Sequence, residues 1–103
     1  MQDDPHYTLF AQNFGKGIGH PLRFTILSLL AKRDMTVSEL IEHTGARQSA
    51  VSQHLLVLKN GQLILSQKRG QYVFYSLNHQ YLLTGLKGIT QFLETKTTKE
   101  GAV

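Results

Sequence analysis

With helical spacing of ~100° per residue, Gln48, Ser49, Ser52, Gln53, Leu56, Lys59 and Asn60 fall on one arc of the segment 48–60. Amides and hydroxyls on an exposed helix face suit the reading of base edges, because Gln pairs bidentately with adenine and Ser donates or accepts in the major groove. Leu56 is placed to touch a thymine methyl, and Arg47 and Lys59 put a cation at each end of the arc. Ala50, Val51, His54, Leu55, Val57 and Leu58 fill the opposite arc, which would anchor the helix to a core. A second basic group, Lys68 and Arg69 with Gln71, sits at a glycine-containing tip and could neutralise phosphates or enter a minor groove. Thr36 and Ser38, at a predicted helix start with free N–H groups, make a third place for a phosphate.

Other chemistries find little support. The chain has no cysteine, which removes disulfides, thiolate metal sites and thiol switching. Its histidines, His6, His20, His43, His54 and His79, include no pair at the i, i+4 spacing of a helical metal site, so structural roles are expected. Asp3, Asp4 and His6 are the one further grouping of metal-ligating types, and they are not read as a site. Ser49, Ser52 and His54 diverge around one helix, with neither a carboxylate pair nor a phosphate loop in support, so no enzyme is expected. Neither metal nor cofactor is expected. The acidic start of the chain lacks the pattern of a secretory signal, and no apolar run approaches the ~20 residues that span a bilayer, so no membrane partner is expected. A formal charge of +4 favours a polyanionic partner.

The elements that would position these groups form a single domain of 103 residues, mainly α with a small β-hairpin. Tyr7, Phe10, Ala11 and Phe14 mark a first helix over about 7–16, which Gly15, Gly17 and Gly19 should end. His20-Pro21 opens a second, buried helix over 20–32. Thr36-Val37-Ser38-Glu39 has the spacing of a capping box, and Gly45 suits a left-handed C-cap, which bounds a third helix at 36–44. The fourth helix, 48–60, follows after a tight turn, the arrangement of a helix-turn-helix. A hairpin is predicted over 63–77, a last helix over 78–94, and a polar, frayed tail over 95–103.

Gly19-His20-Pro21-Leu22-Arg23-Phe24-Thr25-Ile26-Leu27, Ser38-Glu39-Leu40 and Gln48-Ser49-Ala50-Val51-Ser52-Gln53-His54-Leu55 together resemble the ArsR/SmtB family of bacterial repressors, over about residues 7–94. The resemblance implies a winged helix-turn-helix fold of five helices and a two-stranded wing. It further implies a homodimer through the first and last helices, a recognition helix at 48–60, palindromic double-stranded DNA as partner and a cytoplasmic location. The interface then falls on Tyr7, Phe10, Phe14, Leu82, Gly85, Leu86, Gly88, Ile89 and Phe92. Gly85 and Gly88 make a notch beside Tyr81 and Phe92, expected to receive the Tyr7, Phe10 and Phe14 face across that interface. The family's frequent cysteines are missing from the helix that here reads Glu39-Leu40-Ile41-Glu42-His43, and His79, Tyr81, Phe92 and Thr95 stand where other members hold metal ligands. Arg47 occupies a position where a capping Ser or Thr is frequent. An inducer, small molecule or protein, has no counterpart in the motifs, and the alternative reading is a winged-helix protein-interaction module.

Overall fold

Capping groups and glycines set where the helices begin and end. The computed structural model describes the backbone of residues 5–101, and the side chains of that span apart from His6 and 95–101. Its elements run α1 (Pro5–Ile18), α2 (Pro21–Leu30), α3 (Val37–Thr44), α4 (Gln48–Asn60), β1 (Ile64–Arg69), β2 (Tyr72–Leu77) and α5 (His79–Gly101). His20 caps α2 through its ring, whose Nδ1 accepts from the Leu22 N–H at 3.2 Å, while Pro21 fills the first turn. Asn78 caps α5, its Oδ1 accepting from the Tyr81 N–H at 3.2 Å.

Three boundaries differ from expectation. The first helix does not stop at Gly15 or Gly17 but continues to Ile18. A Cβ at Gly17 would collide with Leu63 and press on Leu27 and Leu58, so the residue that weakens the helix locally is the one that lets α1 lie on the core. The second helix ends at Leu30 and passes into a turn instead of reaching residue 32. The tail predicted to fray is helical as far as Gly101.

The core gathers Ile26, Leu27 and Leu30 of α2, Leu40 of α3, and Val51, Leu55 and Leu58 of α4, with Met35, Leu63 and Ile64 closing it from the connections and β1. The strands pair antiparallel from Ile64↔Leu77 to Arg69↔Tyr72, and Met35 adds a single bridge to Tyr75 on the free edge of β2. Between α4 and β1 the chain turns through Gln62, whose φ of 66° is left-handed. The Leu63 N–H donates to the Leu58 carbonyl and the Gln62 N–H to the Lys59 carbonyl, both at 3.0 Å, the Schellman pattern in which glycine is usual. Asn78 fastens this turn, its amide donating to the Gln62 carbonyl and its N–H to the Leu63 carbonyl.

Helices α1 and α5 run antiparallel and meet through glycine. A Cβ at Gly85 would enter the ring of Phe10, and one at Gly88 the ring of Tyr7, both of the same chain. Phe10 is 0% exposed, stacks on Phe14 at 5.5 Å and tilts against Tyr81 at 5.3 Å. The expectation that this notch is filled from a partner is therefore corrected. Phe10, Gly85 and Gly88 belong to the packing of α1 on α5 within one protomer, behind any dimer surface.

Two substitutions probe this geometry. Gly85→Ala and Gly88→Ala should each lower stability by about 1–3 kcal/mol, because the added Cβ meets the ring of Phe10 or of Tyr7. Gln62→Gly should raise stability by about 0.5–1 kcal/mol, the relief of left-handed strain minus the entropy that glycine adds to the unfolded chain. Urea unfolding followed by circular dichroism measures all three.

Candidate nucleic-acid interface

Reciprocal hydrogen bonds at its start fix α3 in place. The Glu39 N–H donates to Thr36 Oγ1 at 3.2 Å, and Glu39 Oε1 accepts from the Thr36 N–H at 3.0 Å. Gly45 ends the helix with φ of 71°, and its N–H donates to the Ile41 carbonyl. The Thr44 hydroxyl donates to the Leu40 carbonyl and accepts from the Ala46 N–H, which tightens the turn into α4. Arg47 stands at the N-cap of α4 with no side-chain capping bond.

Val51, Leu55 and Leu58 bury one edge of α4. Gln48, Ser49, Ser52, Gln53, Leu56, Lys59 and Asn60 are all exposed, as is Arg47, so the polar arc forms one continuous outward face. Leu56 is 58% exposed within it, an apolar side chain left in water.

The wing is a hairpin whose two-residue turn, Gly70-Gln71, begins at a φ of 63° that glycine supplies. Cross-strand partners share a face, so Lys68 lies with Val73 on the face that leads down to Ile64 and the core. Arg69, Tyr72, Phe74 and Gln67 lie on the other. Lys68 and Gln71 are exposed.

A short outward helix in a helix-turn-helix with a hairpin wing beside it is the geometry shared with known regulators. Residues 20–65 match the family described as bacterial regulatory protein, arsR family. The chain is 35% identical over 81 residues to the transcriptional repressor SdpR of Bacillus subtilis, covering 79% of this chain and 90% of that one. The chain belongs to the ArsR family. Among solved structures it resembles HlyU from Vibrio cholerae, at 34% identity and a TM-score of 0.63 over 68% of this chain and 76% of that one. It also shares the fold of an ArsR-like transcriptional regulator from Rhodococcus sp. RHA1, at 22% identity and a TM-score of 0.83 over 93% and 90%. Membership makes the chain a DNA-binding transcriptional regulator of a non-enzymatic class with a winged helix-turn-helix fold, and disfavours the interaction-module reading.

Within this ArsR-family chain the structure corrects one predicted phosphate contact and gives another a partner of its own. Thr36 is half-buried, and both its N–H and its hydroxyl are engaged by Glu39, so it offers nothing to a ligand. The Thr36 N–H and then the Arg33 guanidinium hold the Glu39 carboxyl below its ordinary range, which keeps a negative charge where a phosphate was expected. Ser38, two residues on, is exposed. Arg69 is not free either: its Nη2 lies 2.7 Å from Asp34 Oδ2, and its guanidinium covers Phe74 at 4.8 Å from the ring centroid. Both partners are partly exposed, so the pair itself contributes about 0.2–1 kcal/mol.

Sequence reasoning passed over one basic cluster. His54, on the inner arc of α4, lies against His20 with ring centroids 4.3 Å apart, and Arg23 flanks them from α2. His54 Nδ1 and Arg23 Nε are buried and make no hydrogen bond in the structure. The i, i+3 spacing of His20 and Arg23 was visible, but nothing in the chain tied them to residue 54. Among the described residues no group of three or more His, Asp or Glu side chains is placed to hold a metal ion, and no helix is long and apolar enough to cross a membrane. Asp3, Asp4 and the side chains of His6 and Thr95 lie outside the described residues.

Burial first, then the charges of His20 and Arg23, push the His54 imidazole below its ordinary value of 6.5. The unfolded chain therefore binds the proton more tightly, so the stability from a neutral His54 is complete above about pH 6.5 and is lost as pH falls below it. Urea midpoints should drop between pH 7.5 and pH 5.5, and His54→Gln, which carries no titrating group, should reduce that drop.

Proposed function

We propose that this regulator is a homodimeric repressor that acts in the cytoplasm on a palindromic operator. The observation that carries the reading is the outward face of α4, where Gln48, Ser49, Ser52 and Gln53 form an exposed, uncharged patch. In this reading these residues meet base edges in the major groove, with Leu56 against a thymine methyl. Arg47, Lys59, Ser38, Lys68, Arg69 and Gln71 meet the backbone or the adjacent minor groove. Repression is supported by SdpR, which is named a transcriptional repressor.

Dimerisation is supported by apolar surface on α5 and α1. Leu83 is 67% exposed, Leu93 55%, Leu9 48% and Leu86 38%, apolar surface whose burial would stabilise an association. Leu82, Ile89, Phe92, Tyr7 and Phe14 are half-buried behind or beside it. A twofold axis between α1–α5 layers sets two copies of α4 about 34–36 Å apart, one helical turn of DNA.

The test is fluorescence anisotropy against a duplex that the protein itself selects from a random-sequence pool. The selected sequence should be a palindrome with half-site centres about 10–10.5 base pairs apart. Gln53→Ala should cost about 1–3 kcal/mol and relax preference at one base position per half-site, whereas Lys68→Ala should weaken all sequences alike and reduce the salt slope by about 1 per protomer. Uniform loss with both variants would refute the assignment of Gln53 to base reading. A reporter placed behind the selected duplex should be silenced; activation would overturn the repressor reading alone.

A further inference from the structure

We propose that Asp34 is a positioning residue for DNA binding, one that holds the Arg69 guanidinium over Phe74 in the orientation from which the wing meets a backbone phosphate. The inference rests on the reading of the wing as a DNA contact. Its first support is the register of the hairpin, which puts Arg69, Phe74 and Gln67 on one face, with Arg69 diagonal to Phe74. On that face Arg69 Nη2 lies 2.7 Å from Asp34 Oδ2 and 3.4 Å from Gln67 Oε1, and Cζ sits 4.8 Å from the Phe74 centroid.

The second support is that the carboxylate is the fixed end of this contact. Asp34 directly precedes Met35, whose N–H donates to the Tyr75 carbonyl at 3.0 Å and whose carbonyl accepts from the Tyr75 N–H at 2.8 Å. Backbone pairing therefore sets where Asp34 stands beside β2, with or without the ion pair. Arg69, on a strand end next to the turn, reaches Asp34 with a long side chain, the end that has rotamer freedom to lose.

The third support is what remains unused. Nε and Nη1 of Arg69 have no hydrogen-bond partner among the described residues, and 46% of the side chain is exposed. An unrestrained arginine loses most of its rotamer freedom when it grips a phosphate. Here the carboxylate and the ring have already removed that freedom, and the remaining donors keep their fork geometry for an anion. Asp34 also cancels part of the long-range attraction of Arg69, so its contribution is orientation of the bound complex and not steering of the encounter. Lys68, on the opposite face of the hairpin, acts as a point charge and needs no such holder.

The test compares full-length wild type with Asp34→Asn, Asp34→Glu, Arg69→Ala and the Asp34→Asn/Arg69→Ala double variant, by anisotropy on the selected duplex across a salt series. Asp34→Asn should weaken binding by about two- to fivefold, through a faster off-rate. Its salt slope should stay at the wild-type value, because Arg69 still neutralises its phosphate. Asp34→Glu should recover part of the loss, and Asp34→Asn should have no effect in the Arg69→Ala background. Thermal midpoints of wild type and Asp34→Asn should differ by no more than the few degrees that the exposed pair contributes, since Met35–Tyr75 pairing keeps the connection in place. Unchanged or tighter binding by Asp34→Asn overturns the proposal, tighter binding with a steeper slope marking Asp34 as a competitor of the phosphate. An equal loss in the Arg69→Ala background also overturns it. Binding by Arg69→Ala at wild-type strength, or no DNA binding by wild type, refutes the reading of the wing itself and the inference with it.

Discussion

Val51, Leu55 and Leu58 are at most 2% exposed, and the burial of this one edge of α4 decides what the helix can present. Because an α-helix is a rigid cylinder over thirteen residues, fixing three apolar positions at i, i+4 and i+7 fixes the azimuth of every other side chain. α1, α2, α3 and β1 all pack on α4, so rotation about its axis would have to break the common core. Gln48, Ser49, Ser52 and Gln53 owe their outward orientation to that constraint and to nothing local: Arg47 supplies no cap, and these exposed side chains make no hydrogen bonds among the described residues. Core packing here does the work that a capping side chain does at α2 and α3.

Features governed by neighbours along the chain were legible in the sequence. The capping box at Thr36 and Glu39, the left-handed Gly45, and the division of α4 into polar and apolar arcs each depend on spacings of three or four residues. What spacing could not show is the partner supplied from a distance. Gly17 reads as a helix breaker until Leu27, Leu58 and Leu63 are seen to need its missing side chain. Gln62 reads as an ordinary polar residue until the bonds from Leu63 and Asn78 are seen to hold it in a conformation that suits glycine.

The candidate site divides along the same line. Exposure on a helix face could be read from the wheel, whereas contacts made from a distance could not. Thr36 was credited with a free N–H that its own capping box consumes. Arg69 was credited with a free guanidinium, although Asp34 lies thirty-five residues earlier and reaches it only because Met35 joins the edge of β2. Phe10, Gly85 and Gly88 were assigned to a partner because a notch and an aromatic face are complementary, and complementarity does not say whether the two surfaces belong to one chain or two.

That ambiguity has a structural consequence. With Phe10 seated on Gly85 and Asn13 donating to the Tyr81 hydroxyl at 3.0 Å, α1 and α5 form one layer inside the protomer. The same α1 touches α4 where Gly17 meets Leu58 and where Asn13 meets Gly61. Any change at the exposed leucines of α5 is therefore two contacts away from α4, with α1 as the intermediate. Both contacts are made through glycines, which leave no side chain to yield, so the layers must move as packed bodies or not at all. A dimer built on this layer would set the spacing of its two α4 helices by rigid docking, and an effector would have to shift whole helices to alter that spacing.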